Sequence, residues 1–111
     1  MKDTKILIED IILAFEGIES FLFGLDFDDF NSDDRTKSAV VRKFEIAGEA
    51  ARNVPEIVRS KYPLVPWKNM VGMRDRLIHA YSGVDYRLIW RTAKESLPAI
   101  LPLLKQIKKE I

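Results

Sequence analysis

The chain has 111 residues, enough for one core and too few for two, which excludes a two-domain enzyme. Its 18 Lys and Arg against 17 Asp and Glu leave a net charge of +1, so no overall excess marks it as a polyanion binder and any nucleic-acid contact has to be local. A composition of 47% hydrophobic and 32% charged residues describes a globular protein, and the absence of cysteine removes disulfides, thiolate zinc sites and cysteine nucleophiles.

Residues 4–23 place Ile8, Ile11, Phe15, Ile18 and Leu22 at three- and four-residue steps, which predicts a long amphipathic helix. A second seam, Ile6, Leu13, Gly17 and Phe21, falls on the other side, so this helix asks for two partners. One is the chain's own core. The other is either a second copy of the chain or a thick monomeric core. Gly24 is a helix stop, and the acidic, turn-rich stretch 25–34 reads as a loop.

Ser32 or Asp33 offers a cap for a helix running to about Asn53, with Val40, Val41, Phe44, Ala47, Ala51 and Val54 along one face and Gly48 thinning it for close packing. Pro55 opens a short helix that ends at Tyr62, before Pro63. Helical spacing resumes over 67–80 and breaks at Gly83. A last helix follows, capped by Asp85 and kinked by Pro98 and Pro102. The expected fold is all-α: one domain over residues 1–111, an antiparallel up-and-down bundle of four main helices plus one short helix. No apolar stretch approaches the ~18 residues that cross a bilayer and no secretory signal is evident, so the cytoplasm is the expected location.

His79 is the only histidine, so any imidazole chemistry depends on it. In the segment 67–81, Trp67, Met70, Val71, Leu77, Ile78 and Tyr81 form an apolar stripe with Arg74 near its centre. A guanidinium there requires a partner or a wet cleft. It is either a structural Arg paired with Glu45 or Glu49, or a ligand-binding one. Asp75 and His79 form an i,i+4 pair in which the carboxylate can hold a ring nitrogen; the alternative for His79 is a capping or solvated residue. Arg74 and His79 lie ~140° apart on the helix, flanking a site that two copies of the chain could complete. Arg76 projects away from both the stripe and the His79 flank and reads as a solvated or ligand-steering charge. Lys68, Arg87 and Arg91 are candidates for a local phosphate track. One histidine and no cysteine leave only carboxylate metal sites, and Asp26-Phe27-Asp28-Asp29 lacks the glycine and terminal glutamate of a calcium loop.

At these residues the sequence resembles a known family. Arg74-Asp75-Arg76-Leu77-Ile78-His79 fits the Arg-x-x-x-x-His signature of the HEPN superfamily, and its extension to Tyr81 resembles the HepT-like toxins. Gly48-Glu49-Ala50, Pro66-Trp67, Gly72-Met73, Val84-Asp85 and Leu97-Pro98 also match that pattern, so the resemblance spans residues 6–107. It implies a homodimeric endoribonuclease toxin that needs no metal or other cofactor and is restrained by a minimal nucleotidyltransferase antitoxin. In that scheme Arg74 binds the scissile phosphate, His79 is general base or acid, Asp75 sets the tautomer of His79, and Tyr81 is where the antitoxin attaches AMP. Asp75 departs from the family, which often has Asn there; an anion orients His79 at least as well but repels phosphate. Two other readings stay open: a non-catalytic HEPN subunit that binds nucleotide or a nucleotidyltransferase, and a plain dimerisation bundle. For Tyr81 the alternative is a core aromatic closing the stripe.

Overall fold

The computed structural model describes residues 2–111 and, among them, holds only helices and turns. Helix α1 covers Thr4–Leu22 and begins where the Asp3 carboxylate accepts the Lys5 amide proton. Its stripe Ile8, Ile11, Phe15, Ile18 and Leu22 is buried as the spacing predicts. The second seam is not: Ile6, Leu13 and Phe21 are exposed, and Gly17 is covered only by the Lys43 side chain.

The stretch expected to be a loop contains a one-turn helix, α2, at Phe27–Asn31. Two local contacts account for it. Asp26 and Asp29 form a reciprocal capping box, and Phe30 buries its whole ring. Phe30 packs on Tyr86 and Trp90, while Phe27 packs on Trp90 under the Arg87 guanidinium. Arg87 is thereby tied to this aromatic cluster.

Helix α3, Asp34–Asn53, starts at Asp33, whose carboxylate accepts from the Arg35 and Thr36 amides and the Thr36 hydroxyl. These bonds favour the ionised form and hold the Asp33 carboxyl below its ordinary 3.8. Helix α4 is the short Glu56–Lys61 turn after Pro55. Helix α5, Trp67–Ile78, is anchored at its start by the Trp67 indole N–H donating to the Tyr62 carbonyl.

The last helical stretch runs from α6, Tyr86–Arg91, through a π-helical turn, Thr92–Ser96, into α7, Leu97–Glu110. The expected proline kink thus takes the form of a wider turn just before Pro98. The Leu97 amide reaches back to the Thr92 carbonyl, which gives room for the proline ring that would otherwise crowd the preceding turn.

Helix α1 packs on both α3 and α7, and α3 packs on α5. The helices therefore follow the order α5, α3, α1, α7 in space, and α5 makes no extensive contact with α7. The molecule measures 40 × 30 × 21 Å, and the short dimension is only about two helix diameters. This open arrangement leaves a groove along α5. Among the described residues no helix is long and apolar enough to cross a membrane.

Candidate active site

Helix α5 carries the candidate residues, and Gly48 of α3 sets how closely it docks. A Cβ at position 48 would collide with the Cβ of Arg74 and stand 2.8 Å from the Met70 carbonyl oxygen. Only a glycine permits this approach, which draws the Arg74 side chain in against α3 until it is 21% exposed.

There Arg74 is paired twice. Its Nε lies 2.9 Å from a Glu49 carboxylate oxygen, and an Nη donates to Asp75 at 3.0 Å. Asp75 also accepts from Arg52 at 3.1 Å. Glu49, Arg74, Asp75 and Arg52 thus form an alternating chain of charge. The structural pairing foreseen for Arg74 is present with Glu49, while Glu45 pairs with Arg42.

The Asp75 carboxylate faces these arginines and not the imidazole, contrary to the expected Asp75 to His79 contact. What reaches the ring is the Asp75 main-chain carbonyl, 2.9 Å from His79 Nδ1. A carbonyl oxygen only accepts, so this contact selects the Nδ1–H tautomer of the neutral ring and leaves the Nε2 lone pair outward. Any residue at position 75 supplies that carbonyl. Exchanging Asp for Asn would therefore change the pairing with Arg52 and Arg74 and not the contact to the ring.

His79 is exposed and caps α5, with its own amide also bonded to the Asp75 carbonyl. The chain then turns through Gly83, whose φ of 124° suits only glycine, and the Asp85 carboxylate caps α6 at the Leu88 amide. Since α5 ends at Ile78, the apolar stripe stops at Leu77: Ile78 is largely exposed and Tyr81 is 89% exposed. Tyr81 is not a core aromatic. Its ring stands edge-on to His79, with centroids 6.0 Å apart.

Arg74 and His79 open onto different depressions. Arg74 lines one of about 610 Å³ with Glu49, Asn53 and Ile78, whereas His79 lines one of about 410 Å³ with Arg76, Val84 and Leu88. Arg76 therefore shares the His79 side of the helix, as an i,i+3 neighbour should, and does not project away from it. The helix-face reading placed it wrongly. Within one chain His79 and Tyr81 are adjacent and Arg74 lies on the other flank. Among the described residues no group of three or more His, Asp or Glu side chains gathers as a metal site.

The family model described as ribonuclease HepT-like matches residues 11–107. The chain belongs to the HepT-like family. A protein of Thermococcus cleftensis named "Probable ribonuclease HepT" is 44% identical over 97% of this chain and 98% of its own length. Relatives named "Putative RNase" occur in Caldanaerobacter subterraneus, 41% identical over 96% of each chain, and in Methanocaldococcus jannaschii, 39% identical over 99% of this chain and 95% of its own. No solved structure matches the chain. HepT-like membership accords with the all-helical fold and places the chain in a ribonuclease family, as the motif at Arg74–His79 implied.

Proposed function

We propose that this HepT-like chain is an endoribonuclease toxin that cuts RNA without a metal ion at a site shared between two copies. His79 carries the proposal: an exposed imidazole whose Nδ1 is engaged by the Asp75 carbonyl, which leaves Nε2 as the ring nitrogen free to act as base. In the proposed reaction Nε2 removes the proton of a ribose 2′-hydroxyl. The 2′-oxygen bonds to the adjacent phosphorus, the bond to the 5′-oxygen breaks, and an acid protonates that leaving oxygen. The products are a 2′,3′-cyclic phosphate and a 5′-hydroxyl. A neutral imidazole serves as base and a protonated one as acid, which one ring cannot be at once; the second copy's histidine supplies the missing form. Arg74 stabilises the charge on the phosphorane.

Two observations support a dimer. Ile6, Leu13 and Phe21 form an uncovered apolar line on α1, and Ile78 adds to the exposed apolar surface beside Arg74. Because Arg74 and His79 open onto different depressions of one chain, a two-fold partner is also what would bring an arginine to a histidine.

A minimal nucleotidyltransferase is the proposed antitoxin. It transfers AMP from ATP to the Tyr81 oxygen, with release of pyrophosphate and the phenolic proton. The exposure of Tyr81 beside His79 suits that role, since added phosphate charge there repels RNA. Purified protein is expected to cut RNA and leave cyclic phosphate ends in the presence of EDTA, and His79→Ala to lose the activity. An active wild type whose His79→Ala variant cuts equally well refutes the mechanism.

One observation favours a second reading, a non-catalytic HEPN subunit: Arg74 is already neutralised by Glu49 and Asp75. That reading predicts a wild type without nuclease activity that binds a nucleotidyltransferase equally well after Arg74→Ala.

A further inference from the structure

The depression that holds His79 does not end there. It shares Met73, Arg76 and Leu88 with a second cavity of about 390 Å³ between α5 and the α6–α7 helix, so the two form one groove. The far part runs between the half-buried Met73 and Leu88 side chains, above the buried core residues Phe15, Phe44 and Leu97, and has a polar edge of Asn69, Thr92 and Ser96. Among the described residues no carboxylate lines this far part; Asp85, which caps α6, lines the His79 part. The cations on its α5 wall, Lys68 and Arg76, have no acidic partner among the described residues. Eight residues of helical rise separate these two cations by about 12 Å.

We infer that this groove is a base-recognition subsite for single-stranded RNA. A nucleotide beside the bond cut at His79 turns its base in between the Met73 and Leu88 side chains, Asn69 and Ser96 meet the base edge, and Arg76 and Lys68 hold the flanking phosphates. The assignment rests on RNA being the substrate.

Three properties favour this occupant. Single-stranded RNA is recognised by splaying bases out into recesses that have apolar walls and hydrogen-bonding rims, and here the recess is continuous with the proposed cutting site. An amide and a hydroxyl together offer donors and acceptors to a base edge, and among the described residues neither the Asn69 amide nor the Ser96 hydroxyl makes a side-chain hydrogen bond. A volume of about 390 Å³ suits a small planar group and not a partner's helix. Gly72 keeps the α5 wall low, because a Cβ there meets nothing within 4 Å.

The test separates binding from cutting. With isotope-labelled His79→Ala protein, a short single-stranded RNA is expected to shift the Asn69 side-chain amide and the Gly72 and Ser96 backbone amides. Asn69→Ala combined with Ser96→Ala should weaken binding about tenfold, the size of one lost base contact. In the His79-bearing enzyme the same double substitution should reduce the preference between bases next to the cut by a similar factor. An RNA that fails to bind, or binds with those amides unmoved, overturns the assignment and leaves the groove to a protein segment. A double variant with unchanged affinity and base preference overturns it equally. A wild type that binds RNA through these residues but never cuts it refutes the proposed reaction and keeps the groove.

Discussion

On the flank of α5 that faces α3, Arg74 and Asp75 are closed into a chain with Glu49 and Arg52. On the flank that faces α6 and α7, Lys68 and Arg76 stand over an open groove and form no ion pair among the described residues, Asp85 at its His79 end being engaged in capping α6. The difference follows from distance. Where two helices approach closely, an arginine cannot keep its water and must be paired. Where they diverge, a cation keeps its solvent and remains available to a phosphate. The residue with the strongest motif signature is therefore the more neutralised of the two arginines, and the one that sequence reading set aside is the freer.

The largest expected effect lies at the helix end, where the two flanks meet. His79→Ala should lower RNA cleavage at least 100-fold, the scale of a lost acid–base group, with little change in melting temperature because the ring is exposed. Parallel cleavage and thermal-unfolding measurements would show both.

Two glycines then test the flanks separately. Gly48→Ala should destabilise the protein by about 2 kcal/mol, because the added methyl forces α3 and α5 apart; denaturant unfolding measures it. A neutral result would mean that the closed flank is not held by close approach. Gly72→Ala should do the opposite. On the open flank the methyl meets nothing, so the better helix former should stabilise by about 1 kcal/mol in the same assay.

The smallest effect is a reference far from α5. Hydrogen bonds at the start of α3 hold Asp33 below its ordinary 3.8 in the folded state. Its contribution is therefore complete above that value and is lost as pH falls through the depressed folded pKa. Asp33→Asn should flatten this acid limb of the stability curve and leave the curve near neutral pH unchanged in shape.

Much of this was written in residue spacing. The stripes of α1, α3 and α7 are long enough for periodicity to average over local exceptions, and a guanidinium within an apolar stripe calls for a carboxylate such as Glu45 or Glu49, of which Glu49 is the one it meets. Three details were not legible. Helix α2 is a single turn fixed by one capping box and one buried ring, Phe30, and no periodicity can develop over so few residues. The end of α5 depends on the turn that follows it, and spacing alone extends the stripe through Ile78, the helix's last and partly exposed residue, to Tyr81, which lies beyond the helix. Which oxygen of Asp75 meets His79 is decided by a side-chain rotamer that Arg52 and Arg74 capture, and spacing sees only that the two residues are one turn apart.

The π-helical turn at Thr92–Ser96 can be understood as a spacer. Ile89, Ala93 and Leu97, all buried, advance by two steps of four, about 0.8 residue more than two α-helical turns accommodate. A turn closed one residue later absorbs that surplus, so the apolar faces of α6 and α7 stay in register on the same core. The chain carries in effect one extra residue there, and the widened turn presents Thr92 and Ser96 to the groove. A single-residue deletion at Glu95 would straighten the helix without rotating its core face, and would change the groove wall while sparing the fold.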